Sequence, residues 1–196
     1  DSFNTAVGYT AGESITTGTL NTLIGGLAGD ATTTGSFNTA VGYSSLGANT
    51  TASYNTAVGH MAAVSNTTGS GLVALGNRSL QENTTGSNNV SAGSNALREN
   101  TTASNNSAFG GEALRANTTG TQNTAVGYNA LNDNTTAGEN TAVGSTALDT
   151  VTTGSFNTCV GAGAGTSTTT GNGNTFIGVS AGGLNTTGIN NTFIGG

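Results

Sequence analysis

The sequence predicts an all-β protein, a parallel β-solenoid (β-roll) of 17-residue coils, about 11-12 of them, and three observations predict it. Glycine recurs at one phase, at Gly8, Gly25, Gly42, Gly59, Gly76, Gly93, Gly110, Gly127, Gly144, Gly161, Gly178 and Gly195, with no insertion or deletion between them. A short strand-like tripeptide precedes each of these glycines, as in Thr124-Ala125-Val126 before Gly127. Thr-Thr then follows at a fixed distance in all eleven complete coils, from Thr16-Thr17 to Thr186-Thr187. A period this strict means that each repeat is one coil stacked on its neighbours. It spans residues 1–196 and predicts a single array with no second domain. Asp1 falls in mid-repeat and Gly196 just past an anchor glycine, as expected of a fragment or subunit of a longer fibre.

The strand tripeptide comes first in each coil. Its third position holds Val7, Ile24, Val41, Val58, Leu75 and their successors, β-branched or apolar throughout, so this column is expected to face the interior together with the Thr or Val two residues earlier. The middle position is then expected to point outward, yet it too is apolar and mostly small: Ala6, Ala40, Ala57, Ala74, Ala108, Ala125, Ala142, Phe176 and Phe193. An exposed strand face is normally polar where only the other face is buried. These nine residues are therefore predicted to form an interface with neighbouring chains.

Beyond the strand, the anchor glycine marks a turn that excludes a side chain. A small residue, usually alanine as at Ala130, suits a tight inward corner, and the next column alternates between leucine (Leu46, Leu80, Leu97, Leu114, Leu131, Leu148) and glycine (Gly12, Gly29, Gly165, Gly182). Leucines are expected to thicken the middle of the array and leave its ends thin. Charges such as Glu13, Asp30, Arg98 and Asp133 follow and mark a solvated edge. Asparagine precedes the strand in eleven of twelve coils and recurs before Thr-Thr, where it suits coil corners and can stack amide on amide along the axis. Thr-Thr reads as a second short strand or extended turn, one threonine facing in and the other out. At roughly 4.8 Å per coil the array is about 55 Å long.

Composition narrows the function. The chain has 33 glycines, no proline, no tryptophan and only 6% charged residues, with a formal charge of −6. No basic stripe exists for nucleic acid, and no apolar run is long enough for membrane insertion of this segment. The catalytic inventory is nearly empty: His60, the one histidine, sits in a column shared with Tyr9, Tyr43 and Tyr128 and has no partner base or nucleophile, so no enzyme is expected. No catalytic, cofactor or metal ligand set is predicted, and the glycine-rich turns carry no lysine to complete a phosphate loop. Cys159 reads as a small packed residue.

Asn-Thr-Thr fits the N-glycosylation sequon at Asn49, Asn66, Asn83, Asn100, Asn117, Asn134 and Asn185, although a structural asparagine corner followed by threonines generates the same string. The threonine columns raise a different possibility, because regular threonine rows on flat β-solenoids bind ice in some antifreeze proteins. Those proteins show Thr-x-Thr, which gives two outward ranks, whereas Thr-Thr gives one.

The pattern Asn-Thr-Ala-Val-Gly-Tyr-x-Ala-Leu, as in Asn123 to Leu131, resembles the heads of trimeric autotransporter adhesins and the repetitive shafts of phage tail-fibre and surface proteins. The resemblance implies a left-handed β-roll that trimerises, with Thr124 and Val126 inward, Gly127 at the turn and Ala125 against neighbouring chains. The coil is longer than in the adhesin heads, and the 196 residues read as repeat throughout, with none of them expected to form a neck, stalk, anchor or chaperone domain. Together these readings predict an extracellular fibre or adhesin segment on a cell surface or virion. Its partners would be itself, as a homotrimer or head-to-tail filament, and a host surface or glycan.

Overall fold

The computed structural model of the chain describes residues 2–196. It is a parallel β-solenoid of twelve three-residue strands, from β1 (Thr5–Val7) and β2 (Thr22–Ile24) through β8 (Thr124–Val126) to β12 (Thr192–Ile194), with no helix among the described residues. Consecutive strands pair in parallel in one sheet, in strict sequence order. The 17-residue period fixes the pairing, so chemically equivalent residues lie side by side, Thr124 beside Thr141 and Val126 beside Val143. Each coil has this one strand only. Thr-Thr forms an extended turn, not a second strand.

Asparagine closes the coil. In the column before the strand, Asn123 Nδ2 donates across its own coil to the carbonyl of Ala137 at 2.8 Å, while its Oδ1 accepts the backbone N–H of Asn140 at 3.0 Å. One side chain thus staples a coil shut and ties it to the next. The amides before Thr-Thr bond directly up the axis, Asn100 Nδ2 to Asn83 Oδ1 at 2.8 Å and Asn117 Nδ2 to Asn100 Oδ1 at 3.0 Å. Both ladders are buried, and buried amides are stable only when paired in this way. The ladders stop where asparagine is replaced: Asn134 Oδ1 has no partner because the next coil places Val151 in that column.

The asparagines also set which way the strand faces, and this reverses the sequence expectation. Asn123 must point inward to reach Ala137, and residues two apart in an extended segment share a side. Ala125 therefore points inward as well, with Thr124 and Val126 outward. Ala125 is 0% exposed within the single chain and Val126 is 37% exposed. Ala40, Ala57, Ala74, Ala108, Ala142 and Phe176 are likewise fully buried inside the solenoid, so they are core residues and not an interface between chains. Ala6 and Phe193 belong to the same column and are exposed only in the two outermost coils.

The core is thin and its volume is shared between two facing columns. Where the second column holds Leu46, Leu80, Leu97, Leu114, Leu131 or Leu148, all fully buried, the strand offers alanine or serine. Where it holds Gly29 or Gly182, the bulky Leu23 or Phe176 of the strand fills the space. A Cβ at Gly29 would lie 2.8 Å from Leu23 Cδ2, and one at Gly182 would lie 2.6 Å from the Phe176 ring. The coils of Gly29 and Gly182 are therefore not thin, as the leucine pattern alone implied, but packed from the strand side, whereas the first coil, with Gly12 facing the exposed Ala6, is thin. The leucines adopt positive φ, 52° at Leu114 and 53° at Leu131, a conformation L-residues take at a cost of roughly 1–2 kcal/mol each. Full burial of the side chain, about 1.5–3 kcal/mol, offsets it.

Candidate functional site: the outer face of the sheet

With the middle strand residue inside, the first and third residues of every strand form two parallel outward ranks along the solenoid. The first rank is threonine in most coils, with Val73, Val90 and Ser107 in the middle. The third is apolar throughout, and Ile24, Val58, Leu75, Phe109, Val126, Val160 and Ile177 each leave more than a third of their surface in water. Strand-to-strand hydrogen bonds hold these side chains at one-coil spacing, so the face is regular and rigid.

Two flanking columns raise walls beside the ranks. On one side, the residue after the anchor glycine gives Tyr9, Tyr43, His60 and Tyr128, all exposed, with Tyr43 and His60 stacked at 5.7 Å between ring centroids. On the other, the corner before the buried asparagine gives Phe3, Leu20, Phe37, Tyr54 and Phe156. Phe37 and Tyr54 stack at 5.0 Å with their planes within 5°. This corner holds positive φ, 60° at Phe37 and 63° at Tyr54, which turns the side chain outward beside the sheet. Sequence reasoning passed over this column because its residue type varies from aromatic to Gly71, Asn88, Gln122 and Glu139. The legible signal was its fixed place three residues after the second threonine.

The other candidate positions resolve differently. Asn49, Asn66, Asn83, Asn100, Asn117 and Asn134 are 0% exposed, and their Nδ2 atoms are committed to hydrogen bonds, Asn66 to Gly69 O at 2.9 Å and to Asn49 Oδ1 at 3.0 Å. A glycan on any of them would remove a donor from the ladder and occupy the core, so these sequons are structural. Asn185 is half-buried in the last complete coil and donates to Gly188 O at 3.4 Å.

Neither threonine of the Thr-Thr pair enters the core. The first is mostly half-buried and its hydroxyl donates to the carbonyl of the next coil's threonine, as Thr84 Oγ1 does to Thr101 O at 3.0 Å. The second, as at Thr85 and Thr102, forms a single exposed rank. The inward positions around them belong to asparagine and to Gly or Ala.

Two ionisable groups depart from their ordinary behaviour. Burial pushes the Cys159 thiol up to about 12, against a smaller opposing effect of a backbone hydrogen bond with Phe176, and so suppresses the reactive thiolate. Asp149 is raised first by burial and then by the neighbouring carboxylate of Asp133. A carboxyl with a raised folded-state pKa favours the fold below the ordinary carboxylate range and loses that contribution as pH rises. Among the described residues, no three His, Cys, Asp or Glu side chains converge as a metal site would require.

No protein-family model, curated protein or solved structure matches the chain.

Proposed function

We propose that this chain is a segment of an extracellular structural fibre or adhesin, a non-enzymatic β-solenoid rod that assembles through the outer face of its sheet into a trimer or filament. The observation that carries the reading is the apolar rank running from Val7 to Ile194 along the outer face of the sheet, flanked by exposed aromatic side chains. Contiguous exposed apolar surface of more than a few hundred Å² marks an interaction site, because covering it gains roughly 25 cal/mol per Å². Every coil is bonded to the next by backbone, asparagine and threonine ladders, which suits a stiff spacer that carries load and presents distal elements to a host surface or glycan. Chemistry has no place in this reading, since His60 is stacked on Tyr43 and has no nucleophile beside it.

A second reading, ice binding, draws on one observation: the strand supplies two outward ranks, Thr and β-branched, where Thr-Thr supplies one. The aromatic walls disfavour it, because a lattice plane needs a flat surface and Phe37, Tyr43 and Tyr54 rise from the edges. Sedimentation velocity over a wide concentration range decides between them. A trimer or longer particle that Val58→Glu reduces to monomer, with the β signal in circular dichroism kept, is the expected result. A protein that stays monomeric at all concentrations would sink the fibre reading, and one that also shapes ice crystals would transfer the face to the second reading.

A further inference from the structure

We infer that the contact between copies is confined to one segment of this face, the aromatic-walled stretch formed by the second to fourth strands and their flanks, and that its occupant is the same stretch of a second copy of this chain. The inference rests on the assembly reading above and adds its location. Leu20, Ile24, Phe37, Tyr43, Tyr54 and Val58 leave 38–66% of their surfaces in water. At ~150–250 Å² for a whole aromatic side chain and somewhat less for an aliphatic one, they expose roughly 600 Å² per copy, so two copies meeting here bury about 1,200 Å², the size at which specific interfaces begin.

Charge argues for a second copy over another partner. The chain carries a net −6, so copies repel overall. The outward columns from Leu20 to His60 hold no Asp, Glu or Arg, and the nearest charges, Glu13, Asp30 and Arg78, stand in other columns. A neutral apolar stretch meets its own duplicate without like-charge cost and offers nothing to attract a charged partner. Farther along, the same wall changes character: Asn88, Asn105, Gln122 and Glu139 replace the aromatics, and Phe156 beyond them stands alone between Glu139 and Gly173, with Ala162 in the opposite wall of its coil. Polar walls there would have to be desolvated on contact, which opposes burial. The parallel stacking of Phe37 on Tyr54 and of Tyr43 on His60 also fixes the walls before contact, lowering the ordering cost of association.

The test replaces the wall with residues the same corner already uses. Leu20, Phe37 and Tyr54 have φ of 59°, 60° and 63°, and Asn88 and Asn105 occupy equivalent corners at 56° and 63°. The triple variant Leu20→Asn, Phe37→Asn, Tyr54→Asn therefore keeps a compatible backbone, and an unchanged β signal and melting transition establish that it folds. Its association constant is expected to fall about 30-fold or more, the effect of losing an interfacial hot spot, whereas Val126→Thr with Val143→Thr, where the corner wall is the polar Gln122 and Glu139, leaves association unchanged. If the second pair of substitutions disrupts association as strongly as the triple, the contact runs along the whole face and the localisation is overturned. If neither variant changes the oligomer, or the unaltered chain is monomeric, both the localisation and the face-assembly reading fail.

Discussion

Replacing Gly110 with alanine is expected to destabilise the solenoid by about 3–5 kcal/mol, while the same change at the adjacent Gly111 leaves stability within about 0.5 kcal/mol of the parent. Gly110 has φ of +138°, a region open essentially to glycine alone, and a Cβ there would stand 2.5 Å from the carbonyl oxygen of Gly127 in the next coil. Neither atom has room to yield, because Gly127 N–H is itself bonded to Phe109 O at 2.8 Å and the sheet carries the same contact at every coil. A Cβ at Gly111 meets only the Tyr128 ring at 3.7 Å and Ser94 O at 3.9 Å, ordinary van der Waals contacts. Urea unfolding of the two variants measures the difference directly. Equal stabilities would show that coil spacing at the anchor glycine is looser than the structure has it.

Asn100→Asp is expected to make stability strongly pH-dependent. The wild-type amide donates to Asn83 Oδ1 at 2.8 Å and to Ala103 O at 3.0 Å and accepts from Asn117 Nδ2 at 3.0 Å, with no exposed surface. A carboxylate in its place keeps the acceptor role but turns both donor contacts into acceptor against acceptor, at a position with no surface open to solvent. The charged form is disfavoured in the fold, so the folded-state pKa of the new group rises above its unfolded value of about 3.9. Stability is therefore closest to the parent at pH 3, where the carboxyl is protonated and donates one hydrogen bond, and is lost as pH rises through the shifted pKa. The loss at pH 7 is expected to be about 3–5 kcal/mol, that of an unpaired buried charge. Urea unfolding at pH 3 and pH 7 checks it, and an equal penalty at both would show that the position is solvated.

The period, the coil length, the parallel pairing and the corner role of asparagine were legible in the sequence, because a strict repeat aligns equivalent residues and leaves one way to stack them. The direction of the strand was not. Thr124-Ala125-Val126 alternates either way, and hydrophobicity alone favours burying valine over alanine. What decides is space and parity: Leu131 fills the interior opposite the strand, leaving room only for a small residue, and the inward Asn123 places Ala125 on the same side. The position of the aromatic walls was hidden for another reason. Phe37 and Tyr54 sit at positive φ, where bulky L-residues are uncommon, and the corner imposes that conformation at coil after coil, on Gln122 and Glu139 as on the aromatics. Likewise, the sequon at Asn100 carries the same letters whether its amide is on a surface or in a ladder. The candidate assembly face thus lies one residue away from the column the sequence pointed to, on the opposite side of the same strand.

Thiol labelling tests that reversal most directly, because the chain carries a single cysteine, Cys159, in the inward column beside the outward Val160. Under native conditions Cys159 should resist an aromatic disulfide reagent and react fully only after unfolding, whether the protein is assembled or diluted to monomer. A Val160→Cys variant, made in a Cys159→Ala background, should label rapidly while folded. Rapid native labelling of Cys159 together with protection of the Val160→Cys thiol would contradict the inward alanine column and return it to the surface.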